Sequence, residues 1–238
     1  IIMKVVKQKR IRSPFLILNP KAYLYGTESL SFEMQCDRLA GEYDIDIIYT
    51  AMYTDIRMIK EKTKNLVLTA QHMDTLYPGR GMGWILPESL REAGADAVIL
   101  NHAEHPVSMV QIQESIKRAD ELGMFTILCA DSEKQAAQIA KLHPTMIICE
   151  PDELIGTGTI SSDAYIEKTN QFIREINPDI FILQCAGITT AEDVRHMMEC
   201  GADGSGGTSG ILKAPNPVKR VEEMLTVLKE YKEEKRIL

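Results

Sequence analysis

Eight short apolar runs alternate with longer segments of helical pattern, and this repetition constrains the fold more than any other feature of the chain. The runs cover residues 15–19, 46–50, 66–70, 97–101, 125–130, 145–150, 180–184 and 203–206. Short runs rich in β-branched residues are typical of parallel strands that are buried on both faces. The eighth run is the weakest of the set because it consists mainly of small residues.

Recognisable helix boundaries lie between these runs. Thr190, followed by acidic residues, has the pattern of a residue that caps a first helical turn, and Asp131 is expected to cap the helix after the fifth run. Pro87 is expected in a first turn, where a missing N–H costs little. Gly94 and Gly123 are expected where helices end and the chain enters the next strand.

No linker interrupts the eight strand–helix units over 238 residues. This continuity favours an α/β fold with one closed (β/α)₈ barrel over an open, doubly wound sheet. We expect residues 13–238 to form this single domain and residues 1–12 to be an N-terminal extension.

Composition narrows the class of protein. The formal net charge of −7 argues against general affinity for nucleic acid, so any phosphate must be held by a local site. No apolar stretch is long enough for a signal peptide or a membrane span. Five cysteines without a Cys-x-x-Cys pair indicate reduced thiols and a cytoplasmic protein.

Three of the predicted strands end in residues that can carry chemistry. Asn19 and Lys21 end the first strand, His102 and Glu104 follow the fourth, and Glu150 ends the sixth. Because carboxyl ends of barrel strands share one mouth, we expect these side chains to lie close together.

Each of these side chains has an ordinary alternative role. A strand-end lysine is usually solvated, and a lone histidine is more often packed than catalytic. Together, however, Lys21 can stabilise a developing oxyanion, His102 can donate a hydrogen bond to a carbonyl, and Glu150 can remove a proton beside that carbonyl. The coincidence of the three favours catalysis.

Two glycine-bearing segments complete the candidate site. Residues 151–158, which follow Glu150, have a stiff Pro151 entry and glycines near the exit, a pattern suited to a closing lid. Residues 204–210 are rich in glycine, which allows backbone amides to approach an anion closely. Both segments could be ordinary loops, but their position favours a phosphate site.

Six ordered motifs carry a family resemblance over nearly the whole chain. They are LILNPK at 16–21, AQHMD at 70–74, LPESLREAGA at 86–95, NHAEH at 101–105, EPDELIGTG at 150–158 and AGIT at 186–189. With these motifs the sequence resembles the triosephosphate isomerase family, particularly its shorter archaeal-type branch. The resemblance implies a TIM barrel that interconverts glyceraldehyde 3-phosphate and dihydroxyacetone phosphate through an enediol(ate), in glycolysis and gluconeogenesis.

The resemblance also implies residue roles. His102 would be the electrophile, Glu150 the base, and Lys21 the stabilising cation, with Glu104 standing behind the lysine and histidine. The residues expected to bind the small phosphorylated sugar are Asn19, Gly156, Ala186, Gly187, Thr208 and Ser209. No metal or organic cofactor, nucleic acid or membrane is expected as a partner, and a homodimer or homotetramer is expected.

Several positions depart from the family pattern. Ala103 replaces a usual serine, Cys185 replaces a usual glycine, and the last strand lacks its usual apolar run. Met82 replaces a threonine that meets a neighbouring subunit, and Met82 and Trp84 are expected either there or in an internal core contact. These departures suggest altered specificity or assembly. An isomerase of another short phosphosugar, such as a tetrulose phosphate, and a non-catalytic phosphometabolite-binding barrel remain alternatives.

Overall fold

Eight parallel strands pair in chain order, and the last pairs with the first to close a barrel, in a computed structural model that describes residues 11–237. The strands are β1 Phe15–Leu18, β2 Asp46–Ala51, β3 Val67–Ala70, β4 Ala97–Leu100, β5 Phe125–Ala130, β6 Met146–Cys149, β7 Phe181–Gln184 and β8 Gly204–Gly207. The predicted single-domain (β/α)₈ barrel is therefore confirmed, and the open sheet is excluded.

Helices connect the strands and surround the barrel. They are α1 Gly26–Tyr43, α2 Ile56–Lys62, α3 Pro87–Ala93, α4 Met109–Leu122, α5 Glu133–Ala140, α6 Asp163–Ile176, α7 Ala191–Glu199, α8 Ser209–Leu212 and α9 Pro217–Ile237. The last helix, α9, packs between α7 and α1 and so completes the ring of helices around the barrel.

Most of the predicted helix boundaries are confirmed. The Thr190 side chain accepts from the N–H of Asp193, and Pro87 begins α3. Gly94 and Gly123 end their helices in the left-handed conformation, with φ of 107° and 63°.

The capping role predicted for Asp131 is wrong. The fifth helix begins one residue later than expected, so the residue before it is Ser132, whose hydroxyl accepts from the N–H of Gln135. Asp131 instead donates its backbone N–H to the Gln135 side chain at 3.0 Å.

Alternate residues of strands β1 to β7 enter two separate apolar layers. Phe15 and Ile17 of β1 point into the barrel, whereas Leu16 and Leu18 pack between the barrel and its helices. This alternation follows from the two-residue period of a strand. Both faces of the sheet are apolar, which explains why the strands appear in the sequence as continuous apolar runs.

The glycine-rich β8 is accommodated by large side chains from its neighbours. Phe15 pairs with Gly204 in register, and a Cβ at Gly204 would collide with the Phe15 ring. Phe15 meets Phe181 of β7 edge to face, with ring centroids 5.7 Å apart. The Phe15 ring therefore fills the space that a side chain at Gly204 would need, and β8 is packed there without one.

Only the end of the expected N-terminal extension, residues 1–12, can be described. Ile11 is buried in the layer inside the barrel, and Arg12 forms ion pairs with Asp44 and Asp46. Residues 1–10 lie outside the described part of the chain. Within residues 11–237, no helix has the length and apolar character needed to cross a membrane.

Candidate active site

Residues from widely separated strand ends border one cavity at the carboxyl-terminal mouth of the barrel. The sequence-predicted residues that line it are Asn19, Lys21, His102, Glu150, Gly156, Gly187, Thr208 and Ser209. The closed strand order brings them together, because every parallel strand delivers its end to the same rim.

Lys21 is held in an uncommon backbone conformation, with φ of 50°. Its N–H donates to Asn19 Oδ1 at 3.1 Å, and its carbonyl accepts from Gln71 Nε2 at 2.7 Å. Asn19 Oδ1 also accepts from the Thr50 hydroxyl at 2.5 Å. Left-handed backbone at a residue with a Cβ costs about 1–2 kcal/mol and persists where surrounding bonds enforce it, often at functional sites.

The Lys21 ammonium is fixed by a carboxylate from the β4 loop. Lys21 Nζ lies 2.6 Å from Glu104 Oε1, and the lysine side chain is only 19% exposed. Hydrogen bonding from Lys21 lowers the pKa of Glu104, which therefore remains a carboxylate. The pair places a mostly buried positive charge at the edge of the cavity.

The tautomer of His102 follows from one hydrogen bond. His102 Nδ1 accepts from the backbone N–H of Glu104 at 3.1 Å. A backbone N–H can only donate, so a neutral His102 carries its proton on Nε2. Burial, and then the positive charge of Lys21, lower the pKa of His102 below its usual value. The ring therefore presents a neutral N–H donor.

Glu150 lies directly after β6, and its N–H donates to the Ala130 carbonyl of β5 at 3.0 Å. Burial raises the pKa of its carboxyl group to about 6, although the charge of Lys21 acts in the opposite direction. Such a carboxylate is a stronger base than an exposed glutamate and is still ionised at neutral pH.

The segment after Glu150 forms a compact turn. Pro151 is buried, and residues Asp152–Leu154 form one 3₁₀ turn. Gly156 and Gly158 have φ of 74° and 77°, a conformation that other residues rarely adopt. Gly156 lines the cavity, so this segment covers one side of the site.

The far end of the cavity is formed by the loops after β7 and β8. Gly187 has φ of 69°, and a Cβ there would collide with the backbone of Thr159, so the loop after β7 packs directly on the segment that follows β6. The Thr208 hydroxyl donates to the Asn19 carbonyl at 2.5 Å, which ties this end to β1. Ala186 is buried beside Gly187 and is not part of the cavity lining.

Sequence reasoning missed several lining residues. Tyr23, Ile155 and Lys213 border the cavity, and the backbone N–H of Lys213 donates to the Ser209 carbonyl at 3.0 Å. The only sequence signal for Lys213 was its position just after the glycine-rich segment. Cys129 and Cys185 also line the cavity, and burial keeps the pKa of the Cys185 thiol well above its usual value.

Two other family departures, at Ala103 and Met82, lie outside this cavity. Ala103 is exposed and does not contribute to the lining. Met82 and Trp84 are 100% and 61% exposed, so the alternative of an internal core contact is wrong for both. They extend from the loop after β3 together with Tyr77, which is 55% exposed.

Comparison with known sequences matches the chain to one family of proteins. Residues 14–224 match the sequence model of a family described as triosephosphate isomerase. The chain is 36% identical over 219 residues to a triosephosphate isomerase of Sulfolobus acidocaldarius, covering 90% of this chain and 95% of that protein. It is 35% identical to one of Methanobacterium bryantii, with coverages of 90% and 96%. For one of Sulfurisphaera tokodaii, the identity is 34% and the coverages are 90% and 95%.

Proposed function

The chain belongs to the triosephosphate isomerase family, and we propose that it interconverts glyceraldehyde 3-phosphate and dihydroxyacetone phosphate through an enediol(ate) with Glu150, His102 and Lys21. The observation that carries this proposal is the meeting of a carboxylate base, a neutral imidazole donor and a lysine ammonium around one cavity. A glutamate base paired with a neutral histidine is the arrangement for which triosephosphate isomerase is the standard example.

Glu150 acts as the base in this proposal. It removes a proton from the carbon beside the substrate carbonyl and returns it to the former carbonyl carbon. The hydroxyl proton moves from one substrate oxygen to the other, so that aldose and ketose interconvert without net oxidation. The raised pKa of Glu150, about 6, supports the role because a carboxylate with a higher pKa is a stronger base toward a carbon-bound proton and is still ionised at neutral pH.

His102 and Lys21 stabilise the charge that develops on oxygen. The Nε2–H of His102 donates to the oxygens of the enediolate, and a neutral imidazole avoids the formation of an overly stable ion pair. Lys21 adds a positive charge whose position is fixed by Glu104 and by its own backbone bonds. Neither step requires a metal or an organic cofactor.

The phosphate group is proposed to lie at the β7–β8 end of the cavity. Gly156, Gly187 and Ser209 supply backbone there, and Thr208 supplies its side chain as lining. Ala186, which does not line the cavity, is proposed to act only by holding the backbone of the adjacent Gly187 in place. Lys213 lines the same end and adds a second positive charge for a dianionic group.

A coupled dehydrogenase assay tests the proposed substrate. The purified protein is expected to turn over the triose phosphates with a higher kcat/KM than a four-carbon aldose or ketose phosphate. Equal or better turnover of the four-carbon substrate would instead assign the chain to another short phosphosugar. Binding of triose phosphate without turnover would assign it to a non-catalytic barrel.

The Glu150→Asp variant tests the mechanism separately from the substrate. Shortening the side chain withdraws the carboxylate from the reacting carbon, so kcat is expected to fall strongly while substrate binding changes little. Unchanged kcat would remove Glu150 from the mechanism.

We also propose a homodimer or homotetramer that acts in the cytoplasm in glycolysis and gluconeogenesis. The exposed Tyr77, Met82 and Trp84 support an interface, because three large exposed side chains with apolar surface on one loop would be covered by a partner. Light scattering at micromolar concentration tests this, and a purely monomeric protein would contradict it. We further propose that residues 1–12 are an N-terminal extension and that residues 13–238 are the isomerase domain.

A further inference from the structure

A mixed cluster of metal-ligand types lies on the outer surface of the barrel, away from the cavity. Asp163 is the first residue of α6, His196 lies in the last turn of α7, and Cys200 follows at the end of α7. His196 Nε2 is 2.8 Å from Asp163 Oδ1 and 3.8 Å from Cys200 Sγ. One ligand atom from each residue lies within 4.8 Å of the other two.

The two separations from His196 Nε2 are close to those around a tetrahedral metal ion, and the third, between Asp163 and Cys200, is at most 4.8 Å. Zinc lies about 2.3 Å from a thiolate sulfur and about 2.0–2.1 Å from an imidazole nitrogen or carboxylate oxygen. In a tetrahedron those lengths place sulfur and nitrogen roughly 3.5 Å apart, and nitrogen and oxygen roughly 3.3 Å apart. The observed 3.8 Å and 2.8 Å differ from these values by only a few tenths of an ångström.

The backbone supports this arrangement. His196 and Cys200 are four residues apart on one helix, a spacing that places two side chains on the same face. Asp163 reaches them from a neighbouring helix. A metal bound by all three would therefore link α6 to α7, whereas a metal bound only by His196 and Cys200 would bridge one turn of α7.

The donor set selects the class of metal. Sulfur and imidazole ligands favour zinc, cobalt or copper, whereas magnesium and calcium favour sites made only of oxygen. The side chains of His196 and Asp163 are 36% and 64% exposed, which leaves access for the ion and for a water as fourth ligand. Carboxylates of Glu167 and Glu199 lie near Cys200 and add negative charge around the site.

We propose that Asp163, His196 and Cys200 form a site for a divalent transition metal of the zinc class. The ion would replace the thiol proton of Cys200 and the Asp163–His196 hydrogen bond with three metal bonds. Because α6 follows the segment after Glu150 and α7 follows the Gly187 loop, the bound ion would cross-link the elements that support both sides of the substrate cavity. The proposed isomerisation does not require this ion.

Cobalt titration of the reduced, chelator-treated protein tests the site. Four-coordinate Co²⁺ with one thiolate ligand gives intense visible d–d bands and a near-ultraviolet charge-transfer band from sulfur. We expect both to saturate at one ion per chain and to disappear when Zn²⁺ is added. Zn²⁺ should also raise the unfolding temperature, because it binds the folded state.

Variants identify the ligands. Cys200→Ser should abolish the charge-transfer band. Both Cys200→Ser and His196→Asn should weaken Co²⁺ binding by more than about tenfold, because losing even a residue that only supports a metal ligand has an effect of that size. His143→Asn is the matched control, because His143 is an exposed histidine outside the cluster, and it should change nothing.

Three results would overturn the proposal. They are the absence of saturable Co²⁺ binding, a charge-transfer band that survives in Cys200→Ser, and equal loss of binding in His143→Asn. In the first case, the contact between Asp163 and His196 is only a hydrogen bond that joins two helices. None of these readouts depends on isomerase activity, so failure here is distinct from failure of the proposed function.

Discussion

Lys21 Nζ donates to Glu104 Oε1 over 2.6 Å, so a carboxylate from the β4 loop fixes an ammonium from the β1 loop. The backbone N–H of the same glutamate fixes the tautomer of His102. Glu104 therefore positions both groups proposed to stabilise the enediolate, the lysine through its side chain and the histidine through its main chain. The two effects can be separated, since a substitution changes only the first.

Replacing Glu104 with glutamine should reduce activity by releasing Lys21. The amide retains an oxygen acceptor but has no charge, while the backbone N–H to His102 is unaffected. We expect kcat/KM to fall by about 10- to 100-fold, because small misplacements of a catalytic group have effects of this size. Steady-state kinetics and the unfolding temperature measure the change and show whether folding is unaffected.

Glu133→Gln provides the matched control for that variant. Glu133 also accepts from a lysine at 2.6 Å, but its partner is Lys168 on the outer surface. Exposed pairs of this kind contribute little, so both activity and stability should remain close to the parent values. An equal loss of activity in both variants would show that Glu104 has no special relation to Lys21.

Replacing Glu150 with glutamine should lower activity and raise stability. Loss of the base should reduce kcat by about 10²- to 10⁴-fold. Burial raises the pKa of Glu150 from 4.5 to about 6, so ionising it in the folded state opposes folding. The parent protein therefore loses stability as the pH rises through about 6, by about 2 kcal/mol, and the uncharged glutamine does not.

Denaturant unfolding at several pH values measures this difference. Glu150→Gln should be more stable than the parent at pH 8, and the two should converge near pH 4, where the carboxyl group is protonated in both states. Glu153→Gln, an exposed change in the same segment, should show no such pH-dependent gain. A constant difference at all pH values would rule out ionisation of Glu150 as the cause.

The location of the site could be predicted from sequence because it depends on topology. Once eight strands close in order, residues 19–21, 102 and 150 must reach one rim, whatever the details of packing. The polar residues themselves were also visible, since each of them ends an apolar run in the sequence. The packing of side chains that are distant in sequence could not be predicted, because it depends on the register of the paired strands and on the volumes of the facing side chains. The weak β8 is the clearest case, since its support comes from Phe15, at the other end of the chain.

Smaller discrepancies have similar causes. The cap of the fifth helix was predicted at Asp131 but is Ser132. The local sequence pattern does not define a helix boundary to within one residue. Lys213 was missed because a short helix turns it back toward the cavity, and nothing in its immediate sequence indicates that turn. A residue that reaches the cavity only because the backbone reverses direction can be identified only from the structure.

Replacing Gly187 with alanine should separate the loops on either side of the phosphate end. A Cβ would collide with the Thr159 backbone, and the residue also has φ of 69°. We expect a loss of more than about 2 kcal/mol in unfolding free energy and a higher KM, because backbone cannot move aside cheaply. Gly123→Ala has φ of 63° but meets no atom within 4 Å, so it should cost only about 1–2 kcal/mol and leave KM unchanged. Equal costs would show that the loop contact is unimportant.

Gly204 and Phe15 should be energetically coupled, because the ring occupies the space beside the missing side chain. Gly204→Ala alone should cost about 1–3 kcal/mol by overpacking, whereas in a Phe15→Leu background the smaller side chain should relieve much of that cost. A double-mutant cycle from denaturant unfolding measures the coupling, which we expect to exceed about 0.5 kcal/mol. Gly207→Ala on the same strand is the control, since its Cβ would meet only carbonyl oxygens at 3.9 Å and 4.0 Å. Gly207→Ala should show no coupling energy with Phe15→Leu. If the coupling energy of Gly204→Ala is equally small, β8 is supported by its backbone pairing and not by the aromatic ring.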